Sequence, residues 1–310
     1  MERVTSKYAD WTRGQVEALI NIIGEENAKG LLSGNISAEF KEVIKKLYKH
    51  GRRIPEGLQA NVCNADRDFR LNRPKLDEEV DFANRILRLH ECLSIDTEVT
   101  AEKLMTETKR LLALVRGNSQ IANIANGVCL PVVLPKLVTD DLGAELELYL
   151  DGVSNSYVKT FGYRKFYNLR KGTLANEVSV VDGSRHDQLI ARMKECPVIG
   201  LHFPNPLQGF SIHADREQMS TLPPVRRSQN GEGGEGFILS GIDTSIAMVM
   251  YPDILARDWN TPGLYMAALQ WQSADYSLGF RAGGDKLDFG STDGLADASG
   301  CYSGGLLFLG

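Results

Sequence analysis

The side chains best suited to catalysis or metal binding are few in this chain. His202 and His213 are the nearest pair of histidines in the sequence. No cysteine or carboxylate completes the HxxxH or HExxH spacing of zinc sites around them. We therefore interpret both as packing residues of a strand and a turn, and we predict no metal site. An enzyme built on this chain would need a deep pocket with perturbed ionisable groups near this pair.

Other signatures of catalysis are incomplete. The GxSxG turn of a serine nucleophile is absent, and SGCYSGG around Cys301 lacks its spacing. The glycines of NGEGGEG have acidic neighbours and no following Lys-Ser or Lys-Thr, so they do not form a phosphate-binding loop. The C-terminal aspartates lack the DxDxDG order of a calcium loop. The sequence thus predicts no catalytic residues and no cofactor.

Composition excludes further classes. The 310 residues carry a net charge of −5, which gives no general attraction to phosphates, so we expect no nucleic-acid partner. Five cysteines without a CxxC pair indicate reduced thiols. No apolar run reaches the roughly 20 residues of a membrane span, and the N-terminus lacks the apolar core of a signal peptide. These features predict a cytoplasmic protein without a membrane span.

The first 117 residues read as almost wholly helical. Apolar residues recur at helical spacing in WTRGQVEALINIIG and SAEFKEVIKKLYKH. In DEEVDFANRILRLHECL we expect Val80, Ala83, Leu87 and Leu89, with Ile86, to form the buried face. The next helix, TAEKLMTETKRLLALVRG, begins at a threonine cap and ends at Gly117. We predict a helical accessory module over residues 1–117.

Strands and helices mix after Gly117, which predicts an α+β domain over residues 118–310. GVCLPVVLPKL contains two prolines and reads as an edge strand. Helices follow in TDDLGAELELYLDGVSNSYVKTF and SRHDQLIARMKE, strands in KFYNL and EVSVV, and a buried strand in PVIGLHF. DTSIAMVMYPDILA predicts a helix broken at Pro252. The stretch LPPVRRSQNGEGGEG predicts an exposed loop.

The last segment, about residues 268–310, is rich in Asp, Ser, Gly and Tyr between isolated apolar residues. This composition is typical of antibody paratopes, and it also fits a glycine-rich β meander with polar turns. The apolar residues read as a framework: Trp271, Leu278, Phe280, Leu287, Phe289, Leu295 and Leu306 to Leu309.

Three features follow one another in this segment: Trp271, then the stretch Asp275 to Arg281, then the glycine-anchored apolar ending Gly304 to Leu309. In this order they resemble the variable proteins of diversity-generating retroelements, whose target domain has a C-type-lectin-like fold of the formylglycine-generating-enzyme type. PVIGLHFPNPLQGFSI, MVMYPDILARDWNTPG and RKFYNLRKGTLANEVSVVDGSRHDQ also resemble stretches of an uncharacterised bacterial family. The resemblance covers roughly residues 118–310.

The resemblance implies a non-enzymatic ligand-binding protein that displays a hypervariable C-terminal surface. A rigid scaffold would hold exposed positions that change freely between framework residues. Mixed charge favours a protein or peptide ligand, and Tyr, Trp and Arg supply most binding energy in such interfaces. The expected contact residues are Trp271, Asp275, Tyr276, Arg281, Asp285, Lys286, Asp288, Ser291, Asp293 and Tyr302.

Two alternatives remain. A fixed intracellular scaffold or adaptor would bind through invariant surfaces, including the N-terminal helices. An enzyme of the formylglycine-generating-enzyme fold is the other, but the resemblance implies that such enzymes use a pair of C-terminal cysteines. Only Cys301 lies in that region here, and fold alone does not supply an activity.

Overall fold

The computed structural model describes residues 62–227 and 234–310. The described residues belong to one compact unit, which spans residues 57–310. The helices predicted before residue 51 lie outside the described residues, as do residues 228–233 of the loop predicted in LPPVRRSQNGEGGEG. That prediction is wrong at Arg226, Arg227, Gly234 and Glu235, which pair as two short antiparallel strands. The α+β class predicted from the sequence is confirmed for the described part, which combines helices with a large mixed sheet.

The helices follow the periodicity of the sequence closely. Thr100 caps the second helix by accepting a hydrogen bond from the Lys103 N–H, and Asp141 caps the third. The predicted break at Pro252 is confirmed, because one helix ends at Met250 and the next begins at Pro252. The helices are α1 (Glu79–Leu93), α2 (Ala101–Gly117), a 3-10 turn (Ala122–Asn126), α3 (Leu142–Phe161), α4 (His186–Glu195), α5 (Ile212–Gln218), α6 (Ile242–Met250) and α7 (Pro252–Leu255).

The strands are short apart from two that cross the centre of the sheet. They are β1 (Leu130–Leu134), β2 (Lys165–Asn168), β3 (Val178–Val180), β4 (Val198–Gln208), β5 (Arg226–Arg227), β6 (Gly234–Leu239), β7 (Gly263–Tyr265), β8 (Leu269–Trp271), β9 (Ser277–Ala282), β10 (Lys286–Thr292) and β11 (Tyr302–Leu309). In the large sheet the order is β1-β4-β11-β7-β9-β10-β2, while β3 pairs with β8 separately.

The C-terminal strand β11 is central to this sheet. Along one side it pairs antiparallel with β4, with a register shift between Gly304 and Leu306. Along the other side its first half pairs parallel with β7 and its second half antiparallel with β6. The strand predicted around Pro131 lies at an edge of the sheet, as expected for a strand that contains proline.

Helix α1 buries a different stripe from the one predicted. Its buried residues are Phe82, Ile86, Leu89 and Cys92, whereas Val80 and Leu87 are more than half exposed. Both stripes have helical spacing, so periodicity alone does not choose between them. The stripe that contains the larger Phe82 packs into the core, so the predicted face with Val80, Ala83 and Leu87 was wrong in these three positions.

The core joins helices and sheet without a break at Gly117. Phe82, Leu89 and Leu104 belong to the same buried cluster as Phe280 and Leu309. The boundary predicted near Gly117 therefore falls inside the compact unit, because α1 and α2 bury their apolar faces against the mixed part of the fold. Every residue of α6 is buried in this core.

Candidate functional site

The C-terminal hairpin of β9 and β10 has two chemically different faces. Leu278, Phe280, Leu287 and Phe289 are buried on the inner face. Between them, the alternate residues on the outer side are polar or glycine, as the period of two along a strand requires. The expected separation into framework and displayed positions is therefore present in this hairpin.

Directly paired residues of neighbouring strands point to the same face of a sheet, so the register shows which side chains share the outer side. Asp288 pairs with Arg281 of β9 and with Tyr167 of β2. Arg281, Asp288 and Tyr167 therefore form one row of side chains across β9, β10 and β2. We call the side of these strands that carries Arg281 and Asp288 the outer sheet face. It is defined by Lys165, Tyr167, Leu169, Gly263, Tyr265, Gly279, Arg281, Lys286, Asp288, Gly290, Tyr302 and Gly304. Of these residues, Gly263, Tyr265 and Gly304, at the β11 end, are buried.

The polar groups of this face form a mixed-charge patch. The Lys286 Nζ lies 2.7 Å from Asp288 Oδ2 and 5.9 Å from the ring centroid of Tyr167. The hydrogen bond to Asp288 raises the pKa of Lys286 above its ordinary value. Arg281 is exposed on the other side of Asp288. Exposed charges of both signs favour directional polar contacts with a ligand.

Two glycines leave the middle of the outer sheet face without side chains. Gly279 and Gly290 are paired across β9 and β10. A Cβ on Gly279 would lie 2.7 Å from the backbone oxygen of Leu264, which cannot move aside as a flexible side chain could. Gly290 lies beside Leu169, which is 63% exposed. The result is a shallow strip of backbone bordered by the Arg281 row.

At the β11 end the face carries a pair of tyrosines. The rings of Tyr265 and Tyr302 are stacked with centroids 4.9 Å apart. Tyr302 lies over Gly263, where a Cβ would overlap its ring. Burial is the main reason why the pKa of Tyr265 lies above its ordinary value, and the neighbouring Tyr302 and Asp215 raise it further. This end of the face is thus aromatic and only partly open to solvent.

The predicted contact residues fall into three groups. Arg281, Lys286, Asp288 and Tyr302 lie on the outer sheet face. The second group lies in loops and is exposed: Asp275 and Tyr276 between β8 and β9, Asp285 between β9 and β10, and Asp293 after β10. Trp271 and Ser291 make up the third group, and both contact Arg170.

Trp271 is 6% exposed and contacts the interior. Its indole N–H donates to the Thr173 carbonyl at 3.0 Å, and the guanidinium of Arg170 lies 4.4 Å from its ring centroid. Arg170 also donates to the Ser291 hydroxyl at 2.7 Å. Both predicted residues therefore hold Arg170 in place at the side of the hairpin, away from the outer sheet face.

The sequence reasoning missed Tyr167, Leu169 and Tyr265. The segment KFYNL was correctly predicted as a strand, but its alternation of exposed and half-buried residues was not connected with the C-terminal hairpin. The sequence alone could have shown that Lys165, Tyr167 and Leu169 share a face, since alternate residues of one strand do so. The parallel pairing with β10, more than a hundred residues later, was not encoded locally.

A separate group of polar side chains is fully buried beneath β4 and β6. His202 Nδ1 lies 2.8 Å from Asp243 Oδ2, and the Gly241 N–H donates to Asp243 Oδ1. His186 accepts from the Ile242 N–H at Nε2 and lies 3.0 Å from the Leu239 carbonyl at Nδ1. Burial lowers the pKa of His186. Burial alone would raise that of Asp243, but the His202 hydrogen bond and the histidine charges lower it.

This cluster does not match the expected features of an enzyme pocket. His202 is buried in the core whereas His213 is exposed on α5. In residues 62–227 and 234–310, no three His, Cys, Asp or Glu side chains are placed to hold a metal ion. A cavity of about 420 Å³ lies between α2 and β6, lined in part by Leu114, Ile121 and Phe237, and contains neither histidine.

Asp215 is the second buried acid of note. It lies on α5 against Gly304, and neither carboxyl oxygen has a hydrogen-bond partner. Complete burial raises its pKa well above the ordinary value, and Arg216 offsets this only in part. Burial therefore favours the protonated, uncharged form of this carboxyl.

Comparison of the chain with models of protein families, with curated proteins and with solved structures finds no match. Within the described ranges, none of the helices has the length and apolarity to cross a membrane.

Proposed function

We propose that this protein is a non-enzymatic binding protein that holds a protein or peptide ligand on the outer sheet face and the adjoining C-terminal loops. We further propose that residues 118–310 have a C-type-lectin-like fold and that about residues 268–310 are diversified by a retroelement. The proposal thus keeps the function that the resemblance implies and assigns ligand binding mainly to the outer sheet face.

The observation that carries the proposal is the alternation of buried and more accessible residues from Leu278 to Ala282 in β9 and from Lys286 to Gly290 in β10. Leu278, Phe280, Leu287 and Phe289 are at most 2% exposed, while their neighbours Arg281 and Lys286 are exposed. A change at an outer position alters the binding surface and leaves the packed face intact. Exposed substitutions of this kind typically change stability by no more than about 0.5 kcal/mol.

The pattern of ligand-facing groups also favours a macromolecular ligand over a small molecule. At β2, β9 and β10 the outer sheet face carries exposed tyrosine, arginine and lysine side chains and a half-buried aspartate. Small molecules are usually bound in concave, mostly apolar pockets. Flat surfaces with Tyr and Arg anchors are typical of protein interfaces.

The test is to sequence many alleles of the gene's last hundred or so bases together with the surrounding genome. We expect changes at Arg281, Asp288 and Tyr302 and at the loop residues Asp275 and Asp285. The inner residues Leu278, Phe280, Leu287 and Phe289 should be constant, and so should Trp271 and Ser291, because they hold Arg170. A reverse transcriptase gene and a near-copy of the segment should lie nearby.

An invariant segment would refute diversification. The fixed-adaptor alternative would then stand, and binding would be sought with the same outer sheet face. Variation at inner positions as frequent as at outer ones would refute the assignment of the ligand to this face.

A further inference from the structure

The strand β2 is the last strand of the large sheet, so its outer edge has no strand partner among the described residues. The N–H groups of Lys165 and Leu169 donate to β10, to the carbonyls of Asp285 and Phe289. Successive residues of a strand direct their backbone groups to opposite sides. The backbone groups of Phe166 and Asn168 therefore face the free edge.

Side chains beside this edge are apolar and accessible. Tyr163 is 80% exposed, Leu169 63% and Tyr167 44%. Tyr167 and Leu169 lie on the outer sheet face, so a chain placed along the edge of β2 would contact both of these side chains. Large exposed apolar groups clustered together are typical of interaction sites.

The edge is also basic in a chain of net charge −5. Residues 163–171, YRKFYNLRK, contain four cations and no acid. Arg164 and Arg170 are held over the rings of Phe161 and Trp271, while Lys165 and Lys171 are exposed. Of the acidic groups near β2, Asp288 is paired with Lys286, and Asp285 is exposed in the adjoining turn.

We propose that the free edge of β2 binds an extended acidic segment of a partner protein as an added strand. The partner's backbone would pair with Phe166 and Asn168, its acidic side chains would meet Lys165 and Lys171, and its apolar side chains would contact Tyr167. This inference rests on the proposed function in one respect, namely that the ligand is a polypeptide. It places the contact outside the segment 268–310, on residues that diversification would leave constant.

Two other occupants fit the edge less well. A second copy of the chain would bring the same four cations to the edge, and lysines at sheet edges discourage such pairing. Single-stranded nucleic acid also combines with basic and aromatic groups, but it cannot complete a backbone ladder. Strand addition uses the free N–H and C=O groups directly.

The experiment measures binding of a fluorescein-labelled eight-residue peptide of alternating valine and glutamate to the full chain, by anisotropy at low ionic strength. An otherwise identical valine-lysine peptide and an oligouridylate of equal length are the comparison probes. We expect the acidic peptide alone to bind, and its affinity to fall as salt is added.

Asn168→Pro tests the ladder, because proline removes the outward N–H while proline is tolerated at a free edge. Asn168→Ala is the matched control: both variants lose the side-chain oxygen that accepts from the Arg170 N–H, but alanine keeps the backbone donor. We expect proline to weaken binding at least about five-fold relative to alanine, the effect of one hydrogen bond.

Lys165→Glu tests the charge independently of the ladder, with the exposed Lys136→Glu as a control of equal net charge. We expect Lys165→Glu to weaken binding about ten-fold or more and Lys136→Glu to change it less than about two-fold. Absence of peptide binding, equal binding by the proline and alanine variants, or preference for the oligouridylate would overturn the inference. If Arg281→Ala weakens binding while Asn168→Pro does not, the edge inference fails and the proposed function stands.

Discussion

Replacing Asp215 with asparagine should stabilise the protein, and the gain should grow with pH. The carboxyl is fully buried and neither oxygen has a partner, so ionisation in the folded state is strongly unfavourable. Burial therefore raises the pKa of Asp215. Asparagine has nearly the same shape as the protonated acid and cannot ionise.

The direction and size of this pH dependence follow from the number of protons that the folded and unfolded chains bind. Between the ordinary pKa near 4 and the raised folded pKa, the unfolded chain releases the Asp215 proton while the folded chain keeps it. The free energy of unfolding of the wild type then falls by about 1.4 kcal/mol per pH unit on account of this group. The Asp215→Asn variant lacks this loss, so its advantage in unfolding free energy should rise by about 1.4 kcal/mol per pH unit within that window.

Urea titrations at pH 4.5, 5.5 and 6.5, followed by tryptophan fluorescence, measure this difference. Asp182→Asn, at an exposed turn, is the control and should leave the pH profile unchanged within about 0.5 kcal/mol. Parallel profiles for wild type and Asp215→Asn would refute the reasoning. A difference that changes with pH in the opposite direction would mean that folding lowers the pKa of Asp215 instead of raising it.

Three further predictions concern stability. Asp243→Asn should cost about 3–5 kcal/mol at pH 7, because the amide is uncharged and keeps only one of the two acceptor oxygens that bind His202 and the Gly241 N–H. Since the pKa of Asp243 is lowered, the difference in unfolding free energy from the wild type, measured by urea titration, should narrow as the pH falls towards that pKa, and a constant difference would contradict this. Gly279→Ala should cost about 1–3 kcal/mol in thermal unfolding through its backbone clash, whereas Gly284→Ala, with open space around it, should be near neutral. Trp271→Phe should cost about 1 kcal/mol by removing the indole donor, and an unchanged melting temperature would show that this hydrogen bond is dispensable.

Local signals predicted much of the fold. α2 begins after Thr100 and ends at Gly117, where a capping side chain and a glycine mark its ends. The alternation of apolar and polar residues predicted β9 and β10 with the correct inner face. In each case the information lies within one element, because caps and periodicity act over a few residues.

What the sequence did not predict depends on contacts between distant elements. The choice between two apolar stripes of α1 is made by α3 and α6, which pack against it. Pairing of β2 with β10 joins Lys165 to Lys286, and no local pattern specifies that register. The sequence placed Trp271 both among the framework residues and among the contact residues. Its contacts with Thr173 and Arg170, from another part of the chain, agree with the framework position and not with a surface contact.

These long-range contacts determine how freely the outer sheet face can change. Arg281 and Asp288 extend from strands whose inner residues are packed and whose backbones are paired on both sides, so their replacement leaves the packed face in place. At Asp288 it also removes the pair with Lys286. Gly279 is different, because any side chain there meets the Leu264 backbone. Lys165 and Tyr167 lie on the same face but outside the C-terminal segment. A binding surface built in this way combines replaceable positions with a constant border, and the constant border is the part that a partner common to all variants would contact.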